Sequence, residues 1–444
     1  AAWQRLLDWY LHTATAAADL LYPQLLRLPP GPARPAPGPV PFAQRSEALA
    51  WLDAEVHNLA AAIRQAAEHG PYPQAWRLAD SLRGYFIRRR HTVLWRACAA
   101  DALRAGERAG DLPAQAAATI SRADSHLLAG EYAEATPSYT GAAELARRGG
   151  WVDGEAMALS NLGMVCREQG RLARAADLFR RSLVLCERVG RLGGQATNRS
   201  KLAVVDQERG LLREALAHHT QALSLYRRLG SLDGEALTLA NLGLTYQDLG
   251  ELATAHHHLR QASALAQKVG DRVLEANVIE ATARVHRDAG ELAQARRLAE
   301  QAQAMLADGS DPRYDASVLT LLGSLDVRAG RVRDGVDTCR RALRLARERR
   351  NRLFEVEALL ELAAGHVRLA DFAAADRYGG EALECARASS LGVAEGRALT
   401  VLAEIRLGEG RWQEGERYAR QALDNHRGSG HRLGEAQALA VLAR

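Results

Sequence analysis

Apolar residues recur along most of this chain at spacings of three and four, with polar residues on the opposite face and glycine breaking the pattern at regular intervals. Residues 1–28 carry Leu6, Leu7, Tyr10, Leu11, Leu20 and Leu21 in helical register and predict one helix. A second helix is predicted from Ser46, its expected cap, through the stripe Leu49, Leu52, Val56, Leu59 and Ile63 to Gly70. A helical hairpin near 72–89 and 92–108 follows. Between the first two helices, "PPGPARPAPGPVP" (29–41) holds seven of the 13 prolines, which neither helix nor strand tolerates, so residues 29–45 read as a linker. From residue 111 onward the text repeats: "NLGMVCREQG" (161–170), "KLAVVDQERG" (201–210) and "NLGLTYQDLG" (241–250) stand forty residues apart.

Stacked at that period, three columns hold small residues. One reads Gly130, Gly170, Gly210, Gly250, Gly290, Gly330, Ala370, Gly410; a second reads Ala135, Ala175, Ala215, Ala255, Ala295, Gly335, Ala375, Gly415. The third runs Ala142, Ser182, Ala222, Ala262, Ala302, Ala342, Ala382, Ala422. The glycine ends one helix in a left-handed turn. Five residues later a small side chain lets the second helix approach the first, where a larger one would cost roughly 1–3 kcal/mol. Leu162, Leu202, Leu242, Leu322, Leu362 and Leu402 supply an apolar knob on each first helix. Each repeat is therefore expected to be a helical hairpin, near 153–168 and 172–189 in the clearest case.

Leu162, Gly163, Cys166, Gly170, Ala175, Phe179 and Ser182, and Leu242, Gly243, Tyr246, Gly250, Ala255 and Ala262 in a later copy, form a pattern that resembles the tetratricopeptide repeat (TPR) in a forty-residue variety. The resemblance implies an all-α fold, a right-handed α-solenoid of about eight hairpins over 111–444. It is preceded by the N-terminal helix (1–28), the linker (29–45) and a helical region with a degenerate hairpin (46–110). Thr282 and Gly379 depart from the apolar consensus, but the small columns persist there.

A second resemblance covers the N-terminal part. "RLLDWYLHTATAAADLLYP" (5–23), the proline-rich gap and "ALAWLDAEVHNLAAAIRQAAEHG" (48–70) are similar to the junction between ATPase module and TPR tail in AfsR/SARP-like bacterial regulators of the STAND ATPase class. This implies a sensor tail controlling an ATPase switch carried upstream on the same polypeptide. Ala1 in place of Met, and a last repeat that stops within its first helix, are what a segment of a longer protein would show.

Composition narrows the function. Aromatic residues make up 5%, and Ala, Leu and Arg dominate, which favours helix. No apolar window is long enough to span a membrane and no signal segment opens the chain. Five cysteines, widely spaced and without CxxC, suit a reduced cytoplasmic compartment. The 58 basic and 53 acidic residues are interleaved, with Arg88–Arg90 the one basic run, so direct nucleic-acid binding is not expected. Lys201 follows Ser200 and Lys268 follows Gln267, so neither lysine continues a glycine into a phosphate-binding loop. His256–His258 are adjacent rather than four apart, which does not suit a helical metal pair. No cofactor, metal or catalytic motif is expected, and the chain reads as non-enzymatic.

In TPR arrays the first helices line the concave side, and here the columns between the structural ones vary. The candidate binding residues are Met157, Asn161, Met164, Arg167 and Glu168 in the second repeat, and Gln207 and Glu208 in the third. Asn241, Leu244, Gln247 and Asp248 follow in the fourth, Arg284, Arg287 and Asp288 in the fifth, then Arg328 and Arg368. Glu168, Glu208, Asp248 and Asp288 share one column in the last helical turn, where the helix dipole disfavours negative charge by roughly 0.3–1 kcal/mol. Two accounts fit: an arginine of a neighbouring hairpin, or a basic partner whose acidic part meets Arg328 and Arg368. Asn161 and Asn241 occupy the position that holds a ligand's backbone in peptide-binding TPRs, though Lys201 and Ala281 interrupt the series. Met157 and Met164, with Leu127 and Leu128, form an apolar patch or part of the core. The expected function is a sensor and interaction domain that binds a protein, a peptide or a small effector; the alternative is a free-standing TPR scaffold.

Overall fold

The computed structural model describes residues 2–29, 38, 42–306 and 315–443. Among the described residues there are 21 α-helices and no strand. Most of the proline-rich linker (30–37 and 39–41) lies outside them. The first helix runs Ala2–Leu21 and stops short of residue 28. Pro23 disfavours helical geometry at Tyr22 and lacks the amide that would continue the ladder. The next helix, Arg45–His69, starts one residue before Ser46. Gln44 is its N-cap, and the Glu47 carboxylate reaches back to accept from the amides of Ala43 (2.9 Å) and Gln44 (3.1 Å) just before the helix. Helices Tyr72–Arg89 and Thr92–Ala109 form the anticipated hairpin.

The forty-residue repeats follow. Their first helices are Leu112–Leu128, Val152–Glu168, Leu192–Glu208, Leu232–Asp248, Arg272–Asp288, Asp315–Arg328, Arg352–Arg368, Gly392–Gly408 and Arg432–Leu442. Their second helices are Tyr132–Arg148, Leu172–Arg188, Leu212–Leu229, Leu252–Val269, Leu292–Leu306, Val332–Glu348, Phe372–Ala388 and Trp412–Ser429. The chain divides into two compact bodies. Body 1 holds residues 1–165 and 181–194, and body 2 holds 166–180 and 195–444. Cys98, Cys166, Cys186 and Cys339 are buried free thiols and Cys385 is half-buried. No helix among the described residues is long and apolar enough to cross a membrane.

Each turn inside a forty-residue repeat has the same construction. In the fourth repeat Gly250 donates to the Gln247 carbonyl (2.9 Å) and Glu251 to the Tyr246 carbonyl (2.8 Å), with Gly250 at φ 78°. The paired bonds satisfy carbonyls that the helix end would orphan. Ala370 keeps this geometry at φ 57° without being glycine. Beyond the turn the helices cross at small residues. A methyl on Gly335 would lie 2.6 Å from the Gly323 carbonyl oxygen, and one on Gly243 would lie 2.7 Å from Leu259 Cγ. No larger side chain fits either crossing.

One core position departs from its column. Tyr139, Phe179, Leu259 and Cys339 occupy it as buried apolar side chains, but in the third repeat it is His219, also fully buried. Neither ring nitrogen of His219 has a hydrogen-bond partner among the described residues. Burial, and then neighbouring His218, push its imidazole down to about 3.

Two stability measurements follow. Ala370→Gly removes a left-handed backbone cost and should stabilise the chain by about 1 kcal/mol; an unchanged chemical-denaturation midpoint would refute the strain. His219→Leu should gain about 1 kcal/mol at pH 7.5 by removing unpaired buried nitrogens. A histidine with a depressed folded pKa loses stability as pH falls below its unfolded value near 6.5. The advantage of His219→Leu should therefore be larger at pH 5.5, and calorimetry at both pH values checks it.

Candidate ligand-binding cavity

Body 2 holds a partly open cavity of about 670 Å³. Every residue that lines it lies on a first helix, or immediately before one as Leu391 and His431 do. No second helix contributes to the lining. The same body brings distant repeats together. The loops at Gly170, Gly210 and Gly250 abut Arg352, Gly392 and Arg432, each 182 residues further on. At Gly392 the approach is so close that a methyl would sit 2.3 Å from the Arg209 carbonyl oxygen. Asn351 stands at the same seam: its Nδ2 donates to Glu168 (2.9 Å) while its Oδ1 caps the helix Arg352–Arg368 at Phe354 (3.0 Å). Repeats 182 residues apart thus share the cavity's walls.

Arg167, Gln207, Glu208, Asn241, Leu244, Gln247, Asp248, Arg284, Arg287, Asp288, Arg328 and Arg368 all line it. Glu168 does not, being held beside the cavity by Asn351 and by Arg167 at 3.5 Å. Met157, Asn161 and Met164 belong to body 1. There Asp124 accepts hydrogen bonds from Arg83 Nε (2.8 Å), Tyr139 Oη (2.6 Å) and Asn161 Nδ2 (3.0 Å), and Arg83 also reaches Met157 Sδ at 3.1 Å. Asn161 and Met157 are thus engaged in a buried polar cluster of that body.

Charges inside the cavity pair along the repeat. Arg167 Nε donates to Glu208 at 2.9 Å, Gln207 Nε2 to Asp248 at 2.7 Å, and Gln247 Nε2 to Asp288. In each case the residue one place before an acid, one repeat earlier, is its donor. Of the two accounts of the acidic column, a neighbouring hairpin's arginine holds for Glu208, while glutamines meet Asp248 and Asp288. Arg287 pairs with the adjacent Asp288 (2.8 Å). Burial opposes charge on Asp288, but Arg287 and Gln247 outweigh it and hold the carboxyl well below its usual range.

Asp248 behaves differently. Burial raises its carboxyl to about 6, against the opposing pull of Gln207 and then of Arg284 and Arg397. The cavity carries a second network, in which Arg284 is joined by residues outside the candidate set. Arg284 binds Glu357 (3.2 Å), Ser317 donates to Glu280 (2.9 Å), and Arg397 binds Glu361 (3.1 Å) and approaches Glu357 (3.7 Å). Val204, Val327, Leu353, Phe354, Leu360, Val367, Val393 and Val401 fill the wall between charges. Glu357 and Arg397 share a column that reads Met157, Thr197, Leu237, Asn277 and Ser317 before them, and Glu361 follows Asn161, Lys201, Asn241, Ala281 and Leu321, so no series of like charges marks them in the sequence.

The histidine run makes ring contacts. His256 lies against His286 (4.6 Å between centroids) and His258 stacks on Tyr246 (5.3 Å).

Comparison with known proteins agrees with this architecture. The tetratricopeptide repeat model matches residues 114–188, 154–228, 194–268 and 234–308, so these hairpins are TPRs. No curated protein matches the chain in sequence. Among solved structures the chain is similar to a Rap protein complexed with competence and sporulation factor, at 13% identity and a TM-score of 0.61, covering 81% of this chain and 99% of that one. It is also similar to the apo quorum sensor NprR from B. thuringiensis (17% identity, TM-score 0.46, 75% of this chain and 99% of that). A third is a signal transduction ATPase with numerous domains and a TPR sensor from Pyrococcus horikoshii (15% identity, TM-score 0.48, 76% of this chain and 51% of that). Of these three, the Rap likeness supports a shared fold.

The raised Asp248 pKa sets a pH test. A carboxyl whose folded pKa exceeds its unfolded one costs stability above pH 6, and the cost is relieved as pH falls from about 6 toward 4. Asp248→Asn should raise the thermal midpoint at pH 7.5, by the equivalent of roughly 1–2 kcal/mol, and leave it nearly unchanged at pH 4.5. A variant less stable at pH 7.5 would mean that the charge is compensated by its neighbours.

Proposed function

We propose that this protein is a non-catalytic sensor and interaction module whose cavity in body 2 receives an extended peptide, a segment of a partner protein or a small effector. The observation that carries the reading is the cavity itself. At about 670 Å³ it falls in the range of ligand sites. Its walls combine apolar side chains with charges of which most are held by their neighbours, so those groups need little rearrangement when a ligand enters. The Rap protein of similar fold is a complex with competence and sporulation factor, which makes occupancy of such a cavity a reasonable analogy. The junction-like segments 5–23 and 48–70 favour a place behind the ATPase module of a STAND-type cytoplasmic regulator.

Selection of short synthetic peptides on the purified chain tests the cavity. Leu244→Glu and Val401→Glu each place a charge on its apolar wall. Both should weaken a selected ligand by at least about tenfold while the circular dichroism spectrum stays helical. Ligands indifferent to both substitutions would move the binding surface elsewhere. The regulator assignment is checked by whether an in-frame Walker lysine lies upstream in the gene.

A further inference from the structure

The pairing rule along the cavity fails at one place. From the third to the fifth repeat the last residue of each first helix is an acid, and the preceding repeat presents it with a donor: Arg167 to Glu208, Gln207 to Asp248, Gln247 to Asp288. In the sixth and seventh repeats that last residue becomes Arg328 and Arg368. The positions that the same register sets against them are Arg287 and Val327, and neither accepts a hydrogen bond. The acid nearest to Arg328 is Asp288, at 3.9 Å and already bonded to Arg287 and Gln247. Glu361 also faces it but is bound by Arg397. Arg368 has no hydrogen-bond or ion-pair partner among the described residues. The Arg328 side chain is 41% exposed and both arginines line the cavity.

We propose that an oxyanion of the ligand, a carboxylate or a phosphate, docks against Arg328 and Arg368, with an apolar part of the ligand along Val327, Leu360 and Val367. The proposal rests on the reading of the cavity as a ligand site and specifies the chemistry of one end of it. A guanidinium offers forked donors that match either oxyanion. The site supplies two such groups beside an apolar wall, where the repeat register leaves the acceptor position unfilled. Burial, followed by repulsion from Arg287, pulls the Arg328 pKa down, as expected of a cation short of counter-charge. An incoming anion meets that shortage, whereas an incoming cation would find Glu208 and Asp288 already bonded.

Inorganic phosphate and acetate serve as probes, each titrated in place of chloride at constant ionic strength, with the thermal midpoint of the full chain as the readout. At least one should raise the midpoint of the unaltered protein. Arg328→Gln and Arg368→Gln should each weaken that apparent affinity roughly tenfold. Arg420→Gln, at an exposed arginine of a second helix, should not change it. A larger response to phosphate identifies a phosphate-bearing ligand, and a response to acetate at least as large identifies a carboxylate. No stabilisation by either probe, or stabilisation that survives Arg328→Gln, overturns the proposal. A selected ligand lost in Leu244→Glu but unaffected by both arginine substitutions also overturns it, and leaves the cavity reading intact. An arginine-dependent anion response in a chain that selects no cavity ligand does the reverse.

Discussion

Two helices that cross at small residues constrain the rest of this structure. Where Gly323 meets Gly335, backbones approach to a distance that excludes even a methyl group, and the glycine turn brings the chain back in one fixed geometry. Close-packed backbones leave little freedom in crossing angle. Successive hairpins must then stack in nearly the same way, and residues forty apart become neighbours in space. Every later feature, including the lining of the cavity by first helices, depends on that uniformity.

Uniform register has an electrostatic consequence. Charges in the cavity are partly removed from water, and an unpaired one would be costly. The repeat meets this cost with a recurring bond between a donor and the acid one repeat later, made by arginine once and by glutamine twice. Asp248, with a neutral donor, keeps a raised pKa of about 6, whereas Asp288, beside Arg287, is held low. A column of acids therefore contains sites of different proton affinity, set by burial and partner together: burial raises Glu208 too, despite Arg167.

The two bodies use similar residues for different ends. In body 1 Asn161 and Met157 join Arg83, Asp124 and Tyr139 in a closed cluster. In body 2 Asn241, in the column of Asn161, stands at the cavity wall. A repeat position does not carry a function by itself; the surrounding side chains assign it.

The helices, their hairpin pairing and the turn glycines were legible in the text, because small residues at fixed spacing leave one packing solution. Most of the candidate positions that line the cavity were legible too, since a strict period says which face each residue occupies. The contributions of Glu357, Glu361 and Arg397 were not, because no series of like charges marks their columns and Arg284 finds Glu357 only across 73 residues of sequence. Nor was the early end of the first helix at Leu21, or the use of Glu47 rather than Ser46 at the second. What sequence alone determined is periodic and local: a helix, a turn or a face that recurs every forty residues. Which charges meet across the cavity was decided by tertiary structure, because that depends on the small twist added at each repeat, a sum over many hairpins that no single period contains.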